Sequence, residues 1–237
     1  MIIVPSTIRA SGLCGAELDY EWDTDVSDDL LYPPEGQLPR LAQAYWQCDQ
    51  RTGFALALAT AEWTAWRFDG IVDIGDVLRR IEAGYAALID ARYADLPEPD
   101  EPFPETLQDA HGPLKLARML ISRAYAYHLQ GDRSVHAVGF SLALLALHLY
   151  ARVPALEGWL ERTLRRCNAL HPPTDVPLSS QRPVARSFFF AAADAPDSTP
   201  ADLRGFLAEL KPADNRYLRG ADSMCALGFA GTPYTFG

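Results

Sequence analysis

The sequence predicts a mainly α-helical protein, a helical bundle or helical-hairpin array with one short β element near the N-terminus. Apolar residues make up 49% of the 237-residue chain, which is enough to build a sizeable core. From Leu38 onward they recur mostly at spacings of three and four, the period of an amphipathic helix. The clearest strand signal is confined to residues 17–26, where apolar and polar side chains alternate.

We predict a single domain over residues 1–237. Residues 1–36 form an acidic arm that contains the strand, and residues 38–94 and 113–220 form the helical body. Between the two helical stretches, residues 95–112 form an acidic, proline-rich loop. Its prolines exclude a helix, because proline lacks the amide hydrogen that a helix requires.

The predicted strand carries acidic side chains on one face and large apolar side chains on the other. Leu18, Tyr20 and Trp22 alternate with four acids: Glu17, Asp19, Glu21 and Asp23. A half-buried strand shows this pattern, because successive side chains point to opposite faces. Two prolines and a glycine then end the segment.

The helical body is punctuated by residues that start or end helices. Asp73 fits an N-cap, and Gly84 in the helix that follows permits a close helix crossing. The helix that starts at Pro113 ends at Gly131. A second helix follows it, and Pro154 starts a third.

Negative charge is concentrated in two segments of a chain whose net charge is −10. Residues 1–36 hold eight acids and one base, and residues 95–109 hold six acids and no base. Such a concentration produces a local field that favours basic partners and opposes nucleic-acid binding. The predicted partner-binding residues are Glu17, Asp19, Glu21, Trp22, Asp23, Asp25, Asp28 and Asp29.

We therefore interpret the protein as a non-enzymatic interaction protein without a cofactor, similar in charge to inhibitors and bacterial immunity proteins. The four cysteines form no C-x-x-C pair, and no basic segment followed by an apolar core opens the chain, which favours a cytoplasmic location. The most apolar stretch, Ala137 to Leu147, is too short to span a bilayer. The excess of arginine over lysine indicates a GC-rich, bacterial genome.

Glu62 supports an alternative function, because it follows an apolar run and is flanked by Trp63 and Trp66. A carboxylate in this position either pairs with an arginine or lies at the rim of an aromatic pocket. In the second case the protein binds or hydrolyses a small molecule near Glu62.

Two further patterns suggest catalysis. Arg123 and His128 match the spacing of the arginine and histidine in HEPN ribonucleases, in which such a pair polarises a phosphodiester and moves a proton. Ser141 lies in a G-x-S-x-A string that superficially resembles the nucleophile elbow of α/β-hydrolases. Neither pattern has the surrounding signature of its family, since Ala124 follows the arginine and no buried strand precedes the serine. The five histidines show no metal-binding spacing.

Overall fold

The computed structural model describes residues 2–98, 111–151, 153–191 and 199–235, and these residues are mainly helical. The described helices are α1 (Ser6–Arg9), α2 (Thr24–Leu31), α3 (Pro39–Tyr45), α4 (Gln50–Arg67), α5 (Gly75–Ile89), α6 (His111–Gln130), α7 (Val135–Leu149), α8 (Pro154–Leu170), α9 (Ser187–Phe190), α10 (Thr199–Glu209) and α11 (Ala221–Ala226). Two short 3-10 helices cover Ala91–Tyr93 and Leu178–Ser180. None of the described helices is both long and apolar enough to cross a membrane.

Helix α4 is the centre of the fold, and every residue from 52 to 67 is buried. Its sequence is rich in alanine and has no continuous polar face, so the helix must be covered on all sides. Helices α5, α6 and α7 all pack against it. The carboxylate of Asp49 accepts a hydrogen bond from the Thr52 amide at 2.7 Å and so caps the start of the helix.

Glycines let the helices around α4 approach closely. A Cβ atom at Gly84 on α5 would lie 2.7 Å from the side chain of Leu58 on α4, which confirms the close crossing predicted at this glycine. A Cβ atom at Gly53 would lie 2.4 Å from the ring of His136 on α7. Real Cβ contacts do not occur at such distances, so both positions require glycine unless the neighbouring side chain moves.

The predicted β element near the N-terminus is wrong. Within the described ranges no residue belongs to a strand, and the only β-type pairing is an isolated bridge between Ala94 and Leu218. The alternation in burial is nevertheless present: Leu18, Tyr20 and Trp22 are half-buried, and the acids between them are exposed. Helices cover the apolar side of this segment in place of a second strand.

The end of the predicted strand is the start of a helix. Asp23 accepts a hydrogen bond from the Val26 amide at 2.8 Å, and α2 begins at Thr24. An aspartate side chain competes for backbone amides, and this favours an N-cap position over the middle of a strand. Most of the predicted acidic loop, residues 99–110, lies outside the described residues. Its last two residues belong to α6, which starts at His111.

Candidate functional site

The acidic arm is held to the body by Arg67, the last residue of α4. Its guanidinium is fully buried and donates to the carbonyl oxygens of Ala16 and Glu17, each at 2.6 Å. A further contact reaches the Asp19 carboxylate at 3.2 Å. A buried guanidinium is costly unless acceptors surround it, so the path of the arm and the burial of Arg67 depend on each other.

A glycine allows the arm to pass close to the end of α4. The Gly15 amide donates to the carbonyl oxygen of Arg67 at 3.2 Å, with a positive φ of 66°. A Cβ atom at this position would lie 2.3 Å from the carbonyl oxygen of Asp69. Both the backbone conformation and the lack of space therefore require glycine here.

A second anchor lies at the end of α7. The Nε2 atom of His148 is 2.7 Å from the Glu21 carbonyl oxygen, and the ring centroid of Trp22 lies 6.1 Å from that of the imidazole. A Cβ atom at Gly112 would lie 2.0 Å from the indole nitrogen of Trp22, so this glycine makes room for the indole. Trp22, which we predicted as a partner-binding residue, is thus half-buried in the protein's own packing.

The carboxylates of the arm all face solvent. The seven predicted partner-binding acids are exposed: Glu17, Asp19, Glu21, Asp23, Asp25, Asp28 and Asp29. Asp19 pairs with Arg67, and Asp23 caps α2. Within the described residues the other five carboxylates make no ion pair. Tyr32, just beyond α2, is 66% exposed and is the aromatic side chain most accessible to a partner in this region.

Glu62 is neutralised by an arginine rather than placed at a pocket rim. It is fully buried, and Arg186 binds it through two hydrogen bonds, from Nε at 2.8 Å and from Nη2 at 2.6 Å. Burial raises the pKa of the Glu62 carboxyl, while Arg186 acts in the opposite direction. Trp66 and Tyr85 also lower this pKa, although neither polar atom reaches hydrogen-bonding geometry.

A cavity of about 330 Å³ lies beside this pair, between α5, α9 and α10. Tyr85, Arg186 and Asp202 line it, but Glu62 does not. A ligand there would meet the arginine side of the ion pair. The carboxylate is therefore not accessible as a base or as a contact for a cation, and the small-molecule function based on Glu62 gains no support from this geometry.

Arg123 and His128 lie in different surroundings. His128 is 2% exposed and stacks on Phe54, with ring centroids 4.5 Å apart. Burial lowers its pKa to about 3, so the imidazole is neutral at neutral pH. Arg123 is half-buried and lines a separate cleft that also contains Ser141. This arrangement provides no shared site for a phosphodiester.

Ser141 lies in the middle of α7 and not on a strand-to-helix turn. His148, seven residues further along the same helix, contacts the acidic arm instead. In the described part of the chain, no group of three or more histidine, cysteine or acidic residues has a geometry that could hold a metal ion.

No protein-family model, curated protein or solved structure matches this chain. The function of the candidate site is therefore inferred from its geometry and charge alone. The sequence identified the exposed acids, and it offered Arg67 or an arginine on a neighbouring helix as the partner of Glu62. It did not single out Arg186 as that partner, nor Arg67 as the anchor of the arm. The one available signal was Arg67 itself, a charged residue that directly follows the apolar run of α4.

Proposed function

We propose that the protein is a cytoplasmic, non-enzymatic interaction protein whose acidic N-terminal arm binds a basic protein, in the manner of an inhibitor or immunity protein. The observation that carries this proposal is the set of seven exposed carboxylates on a segment held in place by a buried arginine. A fixed arm loses little conformational entropy when a partner binds.

The charge distribution supports electrostatic recognition. Five of the exposed carboxylates make no ion pair with any described residue, so no direct contact neutralises their charge. The field of such charges accelerates the association of oppositely charged proteins and weakens as salt is added. Tyr32 adds an exposed aromatic ring next to α2, and aromatic residues commonly contribute strongly to binding once they are buried.

The test is the association rate with a basic partner identified by capture and then purified. The charge variant changes Glu17, Glu21, Asp25, Asp28 and Asp29 to the corresponding amides. It spares the carboxylate that pairs with Arg67 and the one that caps α2, so folding is preserved. At low salt the association rate should fall at least tenfold, and its salt dependence should flatten.

The matched control removes the same number of charges from other exposed positions. These positions are Glu157, Asp175, Glu209, Asp214 and Asp222. If the charge of the arm directs binding, this control keeps most of the association rate even though its net charge equals that of the arm variant. Equal effects from the two variants would contradict the proposal, because net charge alone would then explain the result.

A further inference from the structure

A cleft begins at the C-terminal end of the acidic arm, where Leu31 and Tyr32 line it. It has a volume of about 700 Å³, within the range of small-molecule sites. One wall is the linker between α2 and α3 together with α3 itself, and the other is formed by α6 and α7. Its surface is mainly apolar and includes Leu31, Val138 and Phe140.

Polar side chains without partners line this cleft. Ser141 is 4% exposed, and its hydroxyl makes no hydrogen bond to any described residue. The amide oxygen of Gln37 is buried and is likewise unpaired. On α6, Arg123 and Tyr127 lie one turn apart, and within the described ranges neither the guanidinium nor the phenol has a hydrogen-bonding partner. Arg123 and Tyr127 are half-buried, so their donors are open to the cleft and free to contact a ligand there. The Gln37 oxygen is an acceptor and takes no part in binding an anion.

The charge of the cleft is opposite to that of the protein. Arg123 is the one charged side chain among its described lining residues, although the chain as a whole carries −10. Because solvation is reduced in a mainly apolar recess, an arginine there is strongly stabilised by an anion. Arg123, Tyr127 and Ser141 all line the cleft and each carries a donor, whereas a carboxylate is only an acceptor.

We propose that this cleft binds an amphipathic carboxylate, such as a medium-chain fatty acid. The carboxylate pairs with Arg123 and accepts hydrogen bonds from Tyr127 and Ser141, and the apolar body lies against Val138 and Phe140. The single positive charge of Arg123 neutralises the single negative charge of a carboxylate. A phosphate dianion would keep one uncompensated negative charge in a protein that is already acidic.

The wall formed by the linker is preorganised. Pro33 and Pro34 restrict the backbone, and Leu38 at the start of α3 has a positive φ of 40°. A leucine adopts this conformation only when its surroundings enforce it. A fixed wall reduces the entropy that binding would otherwise cost.

The test is calorimetric titration of the full chain with decanoate, with decanamide as the neutral isostere. Decanoate should bind, decanamide at least tenfold more weakly, and Arg123→Gln should weaken decanoate at least tenfold. Arg123→Lys keeps the charge but loses the two parallel hydrogen bonds, so its affinity should lie between those of the wild type and Arg123→Gln. Circular dichroism confirms that each variant is folded.

The control variant is Arg162→Gln, in a second cleft of about 400 Å³ that is lined by arginines on α8. This variant should bind decanoate like the wild type. The proposal is overturned if decanoate does not bind, if decanamide binds equally well, or if Arg162→Gln loses affinity while Arg123→Gln does not. Tighter binding of decyl phosphate than of decanoate would also overturn it.

Discussion

Lowering the pH from 7 to 5 should destabilise the protein through two histidines of the core. His128 and His136 are 2% and 0% exposed. Burial is the main cause that lowers the pKa of His128 to about 3 and that of His136 to about 4. The cations Arg51 and Arg133 act in the same direction, while Asp49 opposes the shift at His136.

The sign and size of the effect follow from proton linkage. An unfolded histidine has a pKa of about 6.5. Below that pH the two histidines are protonated in the unfolded chain but stay neutral in the folded protein. The stabilisation is therefore complete above about pH 6.5 and is lost as the pH falls toward the folded-state pKa values. At pH 5, about 1.5 units below the unfolded value, each histidine accounts for about 2 kcal/mol of lost stability. The two together account for about 4 kcal/mol.

The carboxyls of Asp49 and Asp76 contribute little in this pH range, and that of Glu62 acts in the opposite direction. Hydrogen bonds lower the pKa of the Asp49 and Asp76 carboxyls against the effect of burial, so both groups titrate mainly below pH 5. The pKa of Glu62 is raised, and its uptake of a proton as the pH falls stabilises the folded state. The measured total is therefore smaller than the contribution of the histidines alone.

Urea unfolding at pH 7 and pH 5 measures the loss of stability, and single variants show which histidine causes it. His128→Phe keeps the ring stacked on Phe54 but cannot take up a proton, so the pH-dependent loss should fall by about 2 kcal/mol. His111→Gln is the control, because the side chain of His111 is exposed. An unchanged loss in His128→Phe would refute the assignment.

Three further perturbations test the packing, all by urea unfolding. Leu145→Ala on α7 should destabilise by roughly 2–5 kcal/mol, because the side chain is fully buried, and a loss near zero would exclude α7 from the core. Gly53→Ala should destabilise clearly, because its Cβ would lie 2.4 Å from an imidazole on α7. Gly205→Ala on α10 has open space and should be neutral or stabilising, so equal effects would contradict the steric argument. Arg186→Met should lower the free energy of unfolding by roughly 3–5 kcal/mol, because it leaves the buried Glu62 carboxylate without its partner. Adding Glu62→Gln to this variant should restore much of the lost stability. No recovery in the double variant would mean that the unpaired carboxylate is not the cause of the loss.

Local physical chemistry predicts the fold class and several element boundaries. The 3.6-residue period of apolar side chains predicts helices, and the structure is mainly helical. Gly131 follows the last residue of α6, and Pro154 is the first residue of α8, as predicted. These signals act within a few residues of the chain, since they depend on backbone angles and neighbouring hydrogen bonds, and so they can be identified without a tertiary structure.

The N-terminal arm shows where local signals become ambiguous. Alternation of apolar and polar side chains indicates that one side of an extended segment is buried. It does not indicate which part of the protein buries it. Here the covering groups are Arg67 and His148 at the ends of two helices, together with the start of α6 at Gly112. The pattern at Leu18, Tyr20 and Trp22 was therefore informative about burial and misleading about strand pairing.

The pairings within the candidate sites depend on tertiary structure alone. Glu62 and Arg186 are 124 residues apart in sequence, and Arg67 meets the Glu17 backbone across 50 residues. Arg123 and Ser141 line the same cleft only because α6 packs on α7 beside the linker that follows α2. From the sequence alone one can predict that a buried charged side chain needs a partner, but not which residue that partner is. Which partner it meets is decided by the packing of the helices, because long-range contacts form where apolar surfaces are buried together.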